Sequence, residues 1–177
     1  SLLGAGDAPA AVAALAMDRA AIYAGAGDKA AVYRIAGGKA ERLADLPGAM
    51  VGGLLHHGGR LLAGTCGEGA GVYRVGVDGA VKRLWADDAV KSVWAMVPAP
   101  NGGVYVGTGP EGKVFAVDAE GKGEVIYHAD ELAKNILCLC LGDEGLLYAG
   151  TDTEGLVVEI APADRGGRVI LDADEKE

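Results

Sequence analysis

The sequence holds little of what nucleophilic chemistry requires. Its only serines are Ser1 and Ser92, and neither sits in a Gly-x-Ser-x-Gly elbow, which argues against a serine hydrolase. Cysteine is scarce as well. Cys66, Cys138 and Cys140 form an odd set without framework spacing, which favours free thiols over a disulfide scaffold. The three histidines give no metal cage: His56 and His57 are adjacent and point in opposite directions on an extended chain, while His128 lies in a different turn. No catalytic residue, metal or cofactor is therefore expected. Cations are outnumbered, 16 Lys and Arg against 25 Asp and Glu, leaving a formal charge of −9. That balance lacks the basic footprint of a nucleic-acid binder. No apolar run approaches the ~18 residues that span a bilayer, so membrane insertion is not expected and a soluble chain is. Aromatic residues make up 5% of the chain and are nearly missing from its loops, which weakens a carbohydrate-binding reading.

What is present is apolar residue and glycine. Half the chain is hydrophobic, 23% is charged and the mean hydropathy is +0.21, enough apolar material to exclude disorder. The 30 glycines are about twice the usual ~7%. Glycine inside a helix costs ~1 kcal/mol relative to alanine, so a helical bundle is disfavoured and a chain that turns often is favoured.

A repeat organises these residues. Ile22-Tyr23-Ala24-Gly25, Leu61-Leu62-Ala63-Gly64, Val104-Tyr105-Val106-Gly107 and Leu147-Tyr148-Ala149-Gly150 recur with glycine spacings of 39, 43 and 43 residues. Each is followed by a second apolar run, such as Val32 to Ile35 or Val114 to Val117, and flanked by two more. Four short β-rich segments per unit of about 40 residues, separated by glycine, Asp-Gly or Pro turns, describe a propeller blade. The expected fold is all-β: four blades of four antiparallel strands, at roughly residues 10–48, 49–90, 91–132 and 133–177. The inner strand Ile136 to Leu141 is expected to be buried on both faces. A sandwich or parallel solenoid is the competing architecture. Leu171 to Glu175 resembles the junction Tyr127 to Glu131, so the chain stops where a fifth blade would begin. The reading favours a piece of a larger propeller, with a closed four-bladed ring or the pairing of two copies as alternatives.

The unit from Val104 to Leu139 resembles the bacterial propeller repeats grouped as WD40-like or NHL-like, whose pattern runs Gly-Thr, a short turn, Glu/Asp-Gly and an apolar strand. The first unit departs from it, with Ala26 in place of Thr and Lys29-Ala30 in place of Glu-Gly, and the Trp-Asp and Gly-His signatures are missing. The resemblance implies an architecture and a bias toward binding.

Gly107 to Lys113 matches two phosphate-binding signatures, but Val114 follows the lysine where a P-loop needs Ser or Thr, and the next element reads as a strand rather than a helix. The equivalent turns keep only Gly-Thr and Glu-Gly. Thr65, Thr108 and Thr151, with Gly69, Gly112 and Gly155, are thus read as hairpin residues, the threonines bonding to their own turns. Propeller topology would put Glu68, Glu111 and Glu154 on one face together with Asp130 and Glu131, and Ser92 and Asn135 at the mouth of the axial channel. These are the candidate binding residues. The reading is a non-enzymatic scaffold whose acidic face docks a protein or peptide, with a basic one suited to its charge. An enzyme with its active residues elsewhere and a carbohydrate-binding module are the alternatives, and the compartment, cytoplasmic or exported, stays open.

Overall fold

The computed structural model describes residues 8–173. Asp174 and Glu175, which complete the proposed match to the junction Tyr127 to Glu131, lie outside the described residues. The chain forms two compact units, Ser1–Asp87 with Lys91–Val93, and Asp88–Val90 with Trp94–Glu177. Both are built from antiparallel strands, and no α-helix occurs among the described residues.

In the first unit, β1 (Val12–Met17), β2 (Ile22–Ala26), β3 (Ala31–Ala36) and β4 (Lys39–Asp45) form a four-stranded sheet in chain order. A second group follows as β5 (Met50–His57), β6 (Arg60–Cys66), β7 (Val72–Val75) and β8 (Val81–Trp85), paired in the same order. Tight turns set these registers. Gly37-Gly38 and Gly58-Gly59 all have φ between 56° and 73°, the left-handed region that two-residue hairpins of primed type require. They leave Ala36 opposite Lys39 and His57 opposite Arg60. In the second unit, β9 (Ser92–Pro98), whose first residues belong to the first unit, leads into β10 (Val104–Gly109), β11 (Lys113–Val117) and β12 (Gly123–His128). The last sheet is β13 (Ile136–Leu141), β14 (Leu147–Thr151), β15 (Val157–Ala161) and β16 (Gly166–Leu171).

Four separate sheets were the expectation. The first and last groups meet it, whereas β9 joins β6 through the single pair Cys66–Ser92, so the second and third groups are not independent sheets. The cause is steric. Gly52 and Gly64 leave β9 room to close in: a Cβ on Gly52 would lie 2.4 Å from the Val93 carbonyl oxygen, and one on Gly64 would lie 2.3 Å from Val93 Cγ1.

The same contact recurs within each unit. A Cβ on Gly25 would lie 2.6 Å from Val51 Cγ1, and one on Gly107 would lie 2.8 Å from Ile136 Cγ2. Val51, Val93 and Ile136 are all 0% exposed. Gly25, Gly64 and Gly107 are therefore sockets for a β-branched residue at the first or second position of the next inner strand. A bulge follows that residue, between Val51 and Gly53 and between Ile136 and Cys138, and turns the two positions to opposite faces. Around these contacts lie the two cores: Tyr23, Val32, Leu46, Leu54, Leu61 and Val75 in the first unit, and Tyr105, Val114, Ile126, Leu147, Val158 and Ile160 in the second. Complete burial of one such aliphatic side chain is worth about 1.5–3 kcal/mol.

One burial expectation is overturned. β13 was read as a strand buried on both faces, but only Ile136 is buried, Leu137 and Leu141 are 45% and 42% exposed, and Cys138 and Cys140 face solvent. The face carrying the two thiols is exposed.

The socket contact predicts that Gly64→Ala destabilises the protein by about 1–3 kcal/mol, the usual result of overpacking, in urea denaturation. Combining it with Val93→Ala should cost less than the sum of the two single changes. Additive losses would show that the glycine is not needed for close approach.

Candidate functional site

Thr65, Thr108 and Thr151 stand at or next to the last residues of β6, β10 and β14, and Gly69, Gly112 and Gly155 in the connections that follow. Thr108 Oγ1 donates to the Lys113 carbonyl at 2.9 Å. Thr151 Oγ1 accepts from the Leu156 amide at 3.1 Å and lies 3.4 Å from its carbonyl. Thr65 departs from the expected side-chain bond. Its Oγ1 is buried without a partner, and the turn is held instead by the Thr65 amide donating to the Gly71 carbonyl at 3.0 Å, with Tyr73 Oη donating to the Gly69 carbonyl at 2.6 Å. Gly69, Gly112 and Gly155 have φ of 77°, 57° and 62°. Gly112 is additionally hemmed in, since a Cβ would lie 2.3 Å from the Ala133 carbonyl oxygen.

The candidate carboxylates fall into different surroundings. Glu68 is exposed on the β6–β7 turn of the first unit. In the second unit Glu111 pairs with Lys113 at 2.5 Å, and that hydrogen bond holds its carboxyl below the usual range, with His128 adding a smaller attraction. Asp130, at φ 50°, faces His128 Nδ1 at 2.9 Å and lines a shallow depression with Glu131, Tyr127 and Leu132. Glu111, His128 and Asp130 thus come together. Glu154, at φ 68°, lines a separate depression with Leu156 and Leu171.

Ser92 and Asn135 are both engaged in backbone architecture. Ser92 forms the bridge to Cys66. Asn135 is the centre of a network: Trp94 Nε1 donates to its Oδ1 at 2.9 Å, its Nδ2 donates to Asp152 Oδ2 at 2.6 Å, and its amide donates to Asp152 Oδ1 at 2.8 Å. The Lys134 amide adds a bond to the same oxygen at 3.1 Å. Burial alone would push the Asp152 carboxyl up, but the bonds from the Asn135 side chain and the two amides outweigh it and hold the group below the ordinary Asp value.

A groove in the first unit that joins charged and apolar side chains was not anticipated. Asp18 closes the β1–β2 turn, its Oδ1 accepting from the Ala20 and Ala21 amides at 2.7 Å each. Its Oδ2 accepts from Tyr23 Oη at 3.0 Å and lies 3.8 Å from His56 Nε2. The Tyr23 and His56 rings stack with centroids 6.0 Å apart and planes 6° from parallel. The two turn amides, ahead of smaller contributions from Tyr23 and His56, hold the Asp18 carboxyl below its ordinary value. Burial, followed by the Asp18 carboxylate, raises the Tyr23 phenol, which keeps it a proton donor. Opposite this cluster the groove, about 530 Å³ in volume, is lined by Arg60, Arg74 and Lys82. Arg74 Nε is buried there without a hydrogen-bond partner. The sequence analysis weighed His56 only as a metal ligand; Asp18, which follows β1, and His56, near the end of β5, stand at neighbouring positions of adjacent repeats, and that was the available signal. Among the described residues no three metal-binding side chains converge.

No family model matches the chain, and no curated protein does. Solved structures do. The chain is similar to the nidogen/laminin complex structure (TM-score 0.74, 16% identity, 90% of this chain and 64% of that one). It is also similar to the extracellular domain of the putative one component system BT4673 from B. thetaiotaomicron (0.74, 19%, 96% and 23%) and to virginiamycin B lyase from Staphylococcus aureus (0.73, 16%, 92% and 56%). The chain spans less than two thirds of each of these three. At such identities the likeness concerns fold alone: the chain is all-β, antiparallel and propeller-like.

The Asn135 network yields a pH prediction. A carboxyl whose folded pKa lies below its unfolded value adds stability that is present above about pH 4, the ordinary Asp range, and is lost as pH falls through the folded value. Asp152→Asn should therefore lower stability at neutral pH by about 1 kcal/mol, a typical hydrogen-bond contribution. The deficit should shrink in acid, as read by Trp94 fluorescence during denaturation. A deficit independent of pH would contradict this role for the carboxylate.

Proposed function

We propose that the chain is a non-enzymatic binding module built on four WD40-like or NHL-like blades, and that the first-unit groove is its ligand site. The observation that carries this is the convergence of Arg60, Arg74 and Lys82 on a groove that also holds Asp18, Tyr23 and His56. Arg60, Arg74 and Lys82 against the single carboxylate of Asp18 favour a compact ligand with a carboxylate or phosphate at one end, with Tyr23, His56 and Asp18 receiving its polar or aromatic end.

A second reading is the docking of a basic protein or peptide on the acidic surface of the second unit, where Glu131 and Glu154 are exposed while Glu111 is engaged by Lys113. Attraction there is screened beyond ~8 Å at physiological ionic strength, so association should quicken at low salt.

Amide chemical shifts on titration with inorganic phosphate and with short acidic peptides test the groove. Saturable changes at Tyr23, His56 and Arg74, weakened at least about tenfold (~1.4 kcal/mol) by Arg74→Gln, are expected. No saturable change with either probe would remove the groove as the site. Titration with a basic peptide, compared between the native chain and the Glu131 and Glu154 double Gln variant, tests the second surface separately, and equal binding would eliminate it.

A further inference from the structure

Among the described residues, one socket lacks a knob and one knob lacks a socket. Gly150 occupies in β14 the place that Gly25, Gly64 and Gly107 hold in β2, β6 and β10. Yet the one atom within 4 Å of where its Cβ would stand is Cys138 Sγ of the same sheet, at 2.5 Å. Val12 occupies in β1 the place of Val51 and Ile136: each precedes the bulge and pairs with the residue after a socket glycine, namely Ala26, Thr65 and Thr151. Val51 and Ile136 are fully buried, whereas Val12 is 53% exposed. Leu15, which corresponds to the 9%-exposed Leu54, is 66% exposed, and Met17 on the same face is 69% exposed.

We propose that the Gly150 face of one copy of this chain seats the Val12, Leu15 and Met17 row of a second copy, head to tail. The contact continues between chains the packing that Val51, Val93 and Ile136 make within them. The knob and the socket lie on different sheets, so the association is heterologous rather than a patch meeting itself. Charge does not oppose it locally despite the net −9 of each chain. On the Val12 face Arg42 is paired with Asp45, and on the Gly150 face Arg168 is paired with Glu159 at 2.7 Å. The socket face also carries the exposed thiols of Cys138 and Cys140, whereas Cys66 is buried and burial pushes its thiol pKa up. The thiols therefore report on coverage of the socket, and Cys66 reports on the fold.

Sedimentation equilibrium of the 177-residue chain, with thiol labelling at low and high concentration, tests the proposal. Self-association is expected, with Cys138 and Cys140 labelled more slowly at high concentration and Cys66 unlabelled throughout. Val12→Glu, a change at an exposed residue, should weaken association at least tenfold, as should Cys138→Glu on the socket face. A mixture of the two variants should still form a one-to-one complex, because each supplies the surface that the other has lost. A monomer at all concentrations, association unaffected by Val12→Glu, or no complex in the mixture while Cys66 stays protected would overturn the proposal.

Discussion

The structure depends on how closely one strand group can approach the next. Inner strands carrying Val51, Val93 or Ile136 at their first or second position lie against Gly25, Gly64 or Gly107, where a single added methyl would overlap the facing side chain. The β-branched residue fills the space, the glycine provides it, and the bulge after the knob points the following residue away. Each contact is local to its unit, and each places the ends of neighbouring inner strands side by side. The groove follows from this placement. Val51 seated on Gly25 brings β5 alongside β1 and β2, so His56 at the end of β5 stacks on Tyr23 and reaches toward Asp18.

Much of the fold was legible because repetition amplifies weak local signals. A single Tyr-Ala-Gly run says little, but four related runs at nearly constant spacing fix the strand count and the turn positions. The recurring glycine of each second strand marks the repeat in the sequence, and the structure gives Gly25, Gly64 and Gly107 the more specific role of sockets. What the sequence reading missed depends on contacts one repeat apart. Trp94 and Asn135 are 41 residues apart and joined by a hydrogen bond, and Asp18 and His56 meet although 38 positions separate them. Neither pair shows in local composition, because each residue is unremarkable within its own turn.

Charge was the least legible feature. Counting carboxylates on one face treated them as equivalent, yet they perform different work. Asp18, Asp78 and Asp118 accept amide hydrogen bonds that close their own turns, Asp152 anchors Asn135, and Glu111 is neutralised by Lys113. The exposed remainder, including Glu68, Glu131 and Glu154, is smaller than the composition implied. Conversely, the cationic side of the groove did not stand out, because Arg60, Arg74 and Lys82 come from three strands and converge only once β6, β7 and β8 pair.

The socket contact is the central claim, and proton–proton nuclear Overhauser spectroscopy on a sample with labelled Val and Ile methyl groups tests it most directly. The account predicts strong cross-peaks from the Val51, Val93 and Ile136 methyls to the α-protons of Gly25, Gly64 and Gly107 respectively. Absence of these cross-peaks in a chain that otherwise shows the expected strand registers would contradict it.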